Sequence, residues 1–195
     1  MPSLIQELLA EGPVLTDGAW GTELQARGLP PGACPDLWNL EAPDRVEEVA
    51  RAYVDAGSRI ILTNTFGANR FVLEGRGMAD EAAEIARRGA RISRSAAGDR
   101  AFVFGSIGPS GKMLLAGDVE PGDLREAFAE QALALAEGGA DALVVETMAD
   151  LDEALLALEG ARRTGLPVVA CLVFDSGRDL DRTMMGTTPE QAAAA

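Results

Sequence analysis

Histidine is absent from this 195-residue chain, which removes the commonest general base and the commonest metal ligand. Ser-His catalysis and His-zinc chemistry cannot be assembled from these residues. Cysteine is nearly absent. Cys34 and Cys171 are too few for a disulfide framework and fit a reducing compartment. No apolar run approaches the roughly 18 residues of a membrane span, and the amino terminus lacks a basic segment followed by an apolar stretch. The expectation is a cytoplasmic protein. Lys and Arg total 17 against 31 for Asp and Glu, a net charge of -14. Contact with nucleic acid phosphates or an anionic membrane is therefore unfavourable. A small substrate carrying an ammonium group suits the acidity better, although general solubility accounts for most of those charges whatever the function.

What is present is a globular composition, 47% hydrophobic and of a length that fits one domain. Five short apolar runs each end on a polar residue: Asp17, Asn64, Ser106, Glu146 and Asp175. Helical patterns lie between them. One begins at Pro43, carries Val46, Val49, Ala50, Tyr53 and Val54 on one face, and stops at Gly57. The others run from about Asp80 to Ala96, from Gly122 to Glu137, and from Asp150 as N-cap to Gly165. Residues Ser3 to Ala10 read as a short amphipathic helix with a Ser3/Gln6 capping box, placed to plug the bottom of a barrel.

Alternating strands and helices with short connections imply right-handed crossovers and a parallel sheet. Periodicity alone does not choose between a barrel and an open sheet. The polar strand exits favour a (β/α)8 TIM-barrel type, in which strand ends converge on one mouth. So does a weak internal repeat between residues 56–64 and 138–147, each reading helix, glycine stop, strand, polar exit, with chance similarity of two βα units as the alternative. Five βα units are visible where a closed barrel needs roughly 250 residues. Thr188, Pro189 and Gln191 start a helix just before the chain ends in four alanines. The expectation is one domain over residues 1–195, truncated before strands six to eight.

The motifs are Asp17-Gly18-Ala19-Trp20-Gly21-Thr22, Asn39-Leu40 ahead of Pro43-Asp44, Thr63-Asn64-Thr65-Phe66-Gly67-Ala68-Asn69, Gly105-Ser106-Ile107-Gly108-Pro109-Ser110-Gly111, and Glu146-Thr147. Each is weak alone. Their order and spacing resemble the homocysteine S-methyltransferase family, which includes betaine-dependent enzymes and the homocysteine-binding module of cobalamin-dependent methionine synthase. The resemblance runs from about Gly12 to the last residue. It implies that Asp17 and Glu146 hold the substrate ammonium, where two carboxylate acceptors give strong charge-assisted hydrogen bonds. Glycine-rich turns can receive anions, so amides around Gly18 to Gly21, those of Gly18 and Ala19 included, are candidates for the substrate carboxylate. Asn64, Thr65 and Ser106 are further candidates to line the pocket, with capping of the loop backbone as the alternative.

The resemblance also implies zinc held by three cysteines, which would deprotonate the homocysteine thiol for attack on a methyl donor such as a corrinoid or folate. In the family those cysteines follow strands six and eight, and neither Cys34 nor Cys171 matches them. No catalytic or metal residue is therefore assigned here. Cys171 reads as a buried apolar thiol in mid-strand and Cys34 as a loop residue. Trp20 and Trp38 read as packing residues. The Gly105 to Gly111 loop lacks the Lys-Ser or Lys-Thr ending of a P-loop, and Asp175 reads as a turn residue.

The expected function is methyl transfer to homocysteine to form methionine, with this chain alone lacking the zinc cysteines. The alternative is a non-catalytic homocysteine-binding fragment, or a half-barrel that completes itself with a partner chain or as a homo-oligomer. A third reading takes Asp17 and Glu146 as a carboxylate pair for glycoside hydrolysis or a divalent metal. An aromatic content of 5% argues against a sugar platform.

Overall fold

A computed structural model describes residues 4–10 and 12–195. In chain order its elements are α1 (Leu4–Ala10), α2 (Gly21–Ala26), α3 (Trp38–Glu41), α4 (Pro43–Asp55), β1 (Ile60–Leu62), α5 (Arg70–Glu74), α6 (Ala82–Ala97), β2 (Phe102–Ile107), α7 (Pro121–Glu137), β3 (Ala142–Met148), α8 (Leu151–Arg162), β4 (Val168–Leu172) and α9 (Pro189–Ala194), joined by short turns. The capping box expected at Ser3 lies outside the described residues.

The strands form one parallel sheet in the order β1-β2-β3-β4, so each helical crossover delivers the chain to the neighbouring position. The first expected strand is reduced to an isolated bridge. Thr16 pairs with Ile60 in parallel, the N–H groups of Arg59 and Ile60 donate to Leu15, and that of Asp17 donates to Ile60. Pro13, with no N–H to give, and Gly12, in the left-handed region, precede this segment and keep its pairing short.

The helices form where their caps predict. Pro43 and Pro121 occupy first helical positions, Asp150 accepts from the Asp152 N–H, and Thr188 with Gln191 closes a capping box. Gly57 and Gly139, both with positive φ, turn the chain from α4 into β1 and from α7 into β3.

The larger core lies between the sheet and α6, α7 and α8, where Leu124, Phe128, Leu135, Leu143 and Val145 are sealed from solvent. Each such side chain contributes about 1.5–3 kcal/mol by burial. On the opposite side of the sheet, Leu8 of α1 packs on Ile60, Phe104, Ala142 and Val144, with Ile5 and Val14 alongside. This second side is thinly covered. An apolar cavity of about 620 Å³ remains there, walled by Leu8, Leu62, Phe104, Val144, Val169 and Cys171 among others.

Cys171 is exposed, contrary to the buried position expected of a mid-strand thiol. It lies on β4, the last strand of the sheet, whose residues are all half-buried or exposed. Among the described residues no helix is long and apolar enough to cross a membrane.

Candidate functional site

The polar residues gather where the strands end. Asp17 leaves the bridge beside β1, and its Oδ2 accepts from the Leu62 N–H at 2.7 Å and the Trp20 indole N–H at 2.8 Å. The i, i+3 spacing from Asp17 to Trp20 thus makes the indole an orienting donor as well as a packing group. Asp17 titrates above the usual carboxylate range. Burial raises it, the donors Leu62 and Trp20 oppose that, and the nearby charge of Glu146 raises it further. The two acids, 129 positions apart in the numbering that runs from Asp17 to Glu146, are therefore brought within electrostatic reach.

Glu146 stands near the end of β3 and its Oε1 accepts from the Ser106 hydroxyl at 2.5 Å. Ser106 is itself fixed. Its N–H donates to Thr63 Oγ1 at 2.9 Å and its carbonyl accepts from Thr65 Oγ1 at 2.8 Å, while the two threonine hydroxyls lie 2.5 Å apart. Gln131 of α7, fully buried, adds a donor from behind: Nε2 reaches the Thr65 carbonyl at 2.7 Å. Its Oε1 has no partner. This chain of bonds links a helix of the outer layer to the carboxylate at the mouth.

A cavity of about 500 Å³ opens in front of these groups, and its lining includes Gly18, Ala19, Trp20, Leu62, Thr63 to Gly67, Ser106 and Glu146 together with Cys34, Asp36, Val72 and Arg76. Gly18 is tightly placed, since a Cβ there would meet the Tyr53 hydroxyl at 3.0 Å, and that hydroxyl donates to the Ala19 carbonyl at 2.9 Å. The N–H groups of Gly18 and Ala19 find no acceptor among the described residues. They are free to meet an anionic group.

Asn64 and Thr65 form part of the cavity wall, but the Asn64 side-chain nitrogen and the Thr65 hydroxyl are engaged elsewhere. Asn64 Nδ2 donates to the Pro35 carbonyl at 2.8 Å and to Asn39 Oδ1 at 3.1 Å, and Thr65 is fully buried. Both tie loop to loop. Asp36, which motif reasoning passed over, is buried and accepts from the Gly67 N–H at 2.9 Å and the Cys34 thiol at 3.4 Å. Burial pushes its carboxyl up against those donors, and burial together with the Asp36 charge pushes the Cys34 thiol up as well. Cys34 is thus a protonated donor in the loop. Asp175, read as a turn residue, lies instead in the irregular segment after β4, ahead of the turn at 177–180, and accepts from the Ser176 hydroxyl.

The donor set for the zinc implied by the sequence resemblance is not present. Among the described residues no three His, Cys, Asp or Glu side chains come together as metal ligands. The two thiols line different cavities.

Carboxylates and unpaired amides stand at the carboxyl ends of the parallel strands, around a polar cavity in an α/β protein. The chain belongs to the homocysteine S-methyltransferase family, whose sequence profile matches residues 14–195. It is 37% identical over 171 residues to the methionine synthase of Mycobacterium leprae and 36% identical over the same length to that of Mycobacterium tuberculosis, each match covering 80% of this chain. The chain spans 14% of the length of those relatives. Its fold is similar to the homocysteine methyltransferase MmuM of Escherichia coli in its oxidized form, with a TM-score of 0.79 and 25% identity over 96% of this chain and 71% of that one. The metallated form of the same enzyme matches with a TM-score of 0.79 at 24% identity, covering 97% of this chain and 72% of that one.

Proposed function

We propose that this chain is a homocysteine-binding domain. Glu146 and Asp17 hold the ammonium group, and the free amides of Gly18 and Ala19 receive the carboxylate. The electrostatic coupling of Asp17 to Glu146, with Glu146, Gly18 and Ala19 lining one cavity, carries the reading. A desolvated carboxylate beside a second one is electrostatically unsatisfied, and a cation placed between them relieves both. The sheet, with its bridge and four strands in sequential parallel order, is read as the first five βα units of a β/α barrel, supported by the similarity to MmuM.

Within the family the reaction is transfer of a methyl group to the homocysteine thiol to form methionine. This chain's share of it is binding and orientation of the substrate. A binding role without turnover is favoured by the donor inventory: two cysteines that line different cavities and no histidine. The glycosidase and divalent-metal readings of the acidic pair receive no support from the family assignment.

Titration calorimetry with L-homocysteine tests the reading. The 195-residue chain is expected to bind it, and Glu146→Gln and Asp17→Asn each to weaken binding by tenfold or more, since each removes a charge-assisted contact of about 1.5–3 kcal/mol. Equal affinity in wild type and both variants overturns it. A methionine-formation assay with S-methylmethionine or methylcobalamin and added zinc separates binding from turnover. Methionine produced at one equivalent of bound zinc overturns the binding-only view.

A further inference from the structure

The end of β3 breaks the alternation of its strand. Ala142 and Val144 face the thinly covered side of the sheet with Leu8 and Phe104, while Leu143 and Val145 face the helices. Continued alternation would turn Glu146 toward the open side, Thr147 toward the helices and Met148 back to the open side. Glu146 follows this rule. Thr147 and Met148 do not: Thr147 is exposed on the wall of the apolar cavity beside Glu146, and Met148 is fully buried among the helix-facing residues.

A bulge accomplishes the exchange. Val145 pairs with Ala170 and Met148 with Leu172, so β3 spends three steps where β4 spends two. The extra residue is Thr147, with φ at 62°. A β-branched side chain in the left-handed region is strained, and glycine or asparagine would make the same turn at lower cost. The Thr147 side chain is exposed, and its hydroxyl makes no hydrogen bond among the described residues. Packing of Met148 explains the bulge. It does not explain a threonine in it.

We infer that Thr147 is a ligand-contacting residue whose hydroxyl, on the cavity side next to Glu146, binds the polar head of the amino-acid ligand that Glu146 holds. The inference rests on the homocysteine reading above. Glu146 borders both the polar cavity and the apolar one, so a ligand seated on it lies within reach of the neighbouring residue on the same face. The strain is retained at the point where a side chain is useful to a ligand and useless to the folded chain.

The test sets stability against affinity in the 195-residue chain. Thr147→Gly relieves the backbone and is expected to raise Tm by a few degrees while weakening homocysteine binding about tenfold in calorimetry. Thr147→Ser keeps the hydroxyl and is expected to bind within about threefold of wild type. A residue that merely shaped the bulge would move both quantities in the same direction or leave affinity alone. Unchanged affinity in Thr147→Gly, or a serine variant as weak as the glycine one, overturns the role of Thr147 and leaves the homocysteine reading standing. Absence of homocysteine binding by the wild-type chain overturns both.

Discussion

At the scale of single residues, Asp17 is held in a state that is costly to its own fold and, in the proposed binding role, favourable to a cation. Its carboxyl titrates above an ordinary aspartate, about 3.9, because burial outweighs the two donors it accepts from. The folded chain therefore binds this proton more tightly than the unfolded chain does. The associated stability is present below the unfolded value and lost as pH rises through the folded one. Asp17→Asn removes the desolvated charge and leaves an oxygen for the Leu62 and Trp20 donors, so its Tm at neutral pH should equal or exceed that of wild type although its affinity falls. For ligand binding the sign reverses: the ammonium needs an ionised carboxylate, and affinity should weaken as pH falls through the raised value. Trp20→Phe deletes a donor that lowers that value, which moves the midpoint of the affinity-against-pH curve upward. Calorimetric titrations at a series of pH values check it, and an unshifted midpoint would mean that the indole does not tune Asp17.

At the scale of elements, the site depends on how closely the helices approach the sheet and one another. Gly160 of α8 lies against the backbone of α7, where a Cβ would come within 2.8 Å of the Ala129 nitrogen and 3.0 Å of the Arg125 carbonyl oxygen. Alanine in a helix interior normally gains about 1 kcal/mol over glycine. Here that gain is smaller than the cost of separating two helices whose backbones cannot yield, about 1–3 kcal/mol for overpacking. Gly160→Ala should thus lower the urea midpoint, with homocysteine affinity retained below the transition because the contact lies on the outer layer. A raised midpoint would mean that α8 shifts freely. Gly89 of α6 belongs to the same class, since a Cβ there would meet Thr65 and Asn39, the residues that tie the cavity loops together.

The same contacts explain what could be read in advance. Pro43, Asp150 and Thr188 announced their helices because a cap is a local hydrogen bond, fixed by a few neighbouring residues. The strand exits at Ser106 and Glu146 were visible because apolar runs stop there. Long-range partnerships left no such mark. Gln131 is a polar residue on an otherwise apolar helix face, and its tie to Thr65 becomes visible once α7 is laid on the sheet. Nothing in the sequence around Asp36 marks it as a buried acceptor for the Gly67 amide, which comes from 31 positions away. The bulge at Thr147 depends on register with β4, which hydrophobic pattern does not encode.

At the scale of the whole molecule, the two sides of the sheet are unequally covered, and the two thiols report on that difference. The helix side is sealed, whereas the side bearing Leu8, Phe104 and Val144 keeps an open apolar chamber with Cys171 exposed on its wall. Cys34 is buried in the loop that carries Asp36, and its thiol donates to that carboxylate. Both thiols titrate above an ordinary cysteine, Cys171 through partial burial and the charge of Glu146, so neither is strongly nucleophilic at neutral pH and access decides between them. A thiol reagent such as DTNB at mildly alkaline pH should therefore modify one of the two thiols in the native chain, with Cys171→Ser abolishing that phase and the second thiol reacting after unfolding. If neither thiol reacts in the native state, the open side is covered in solution, by a second copy or another polypeptide, and light scattering on the same sample tells which. Two reactive thiols in the native state would mean that the Cys34 loop opens, taking with it the wall that holds Asn64 and Gly67 in the polar cavity.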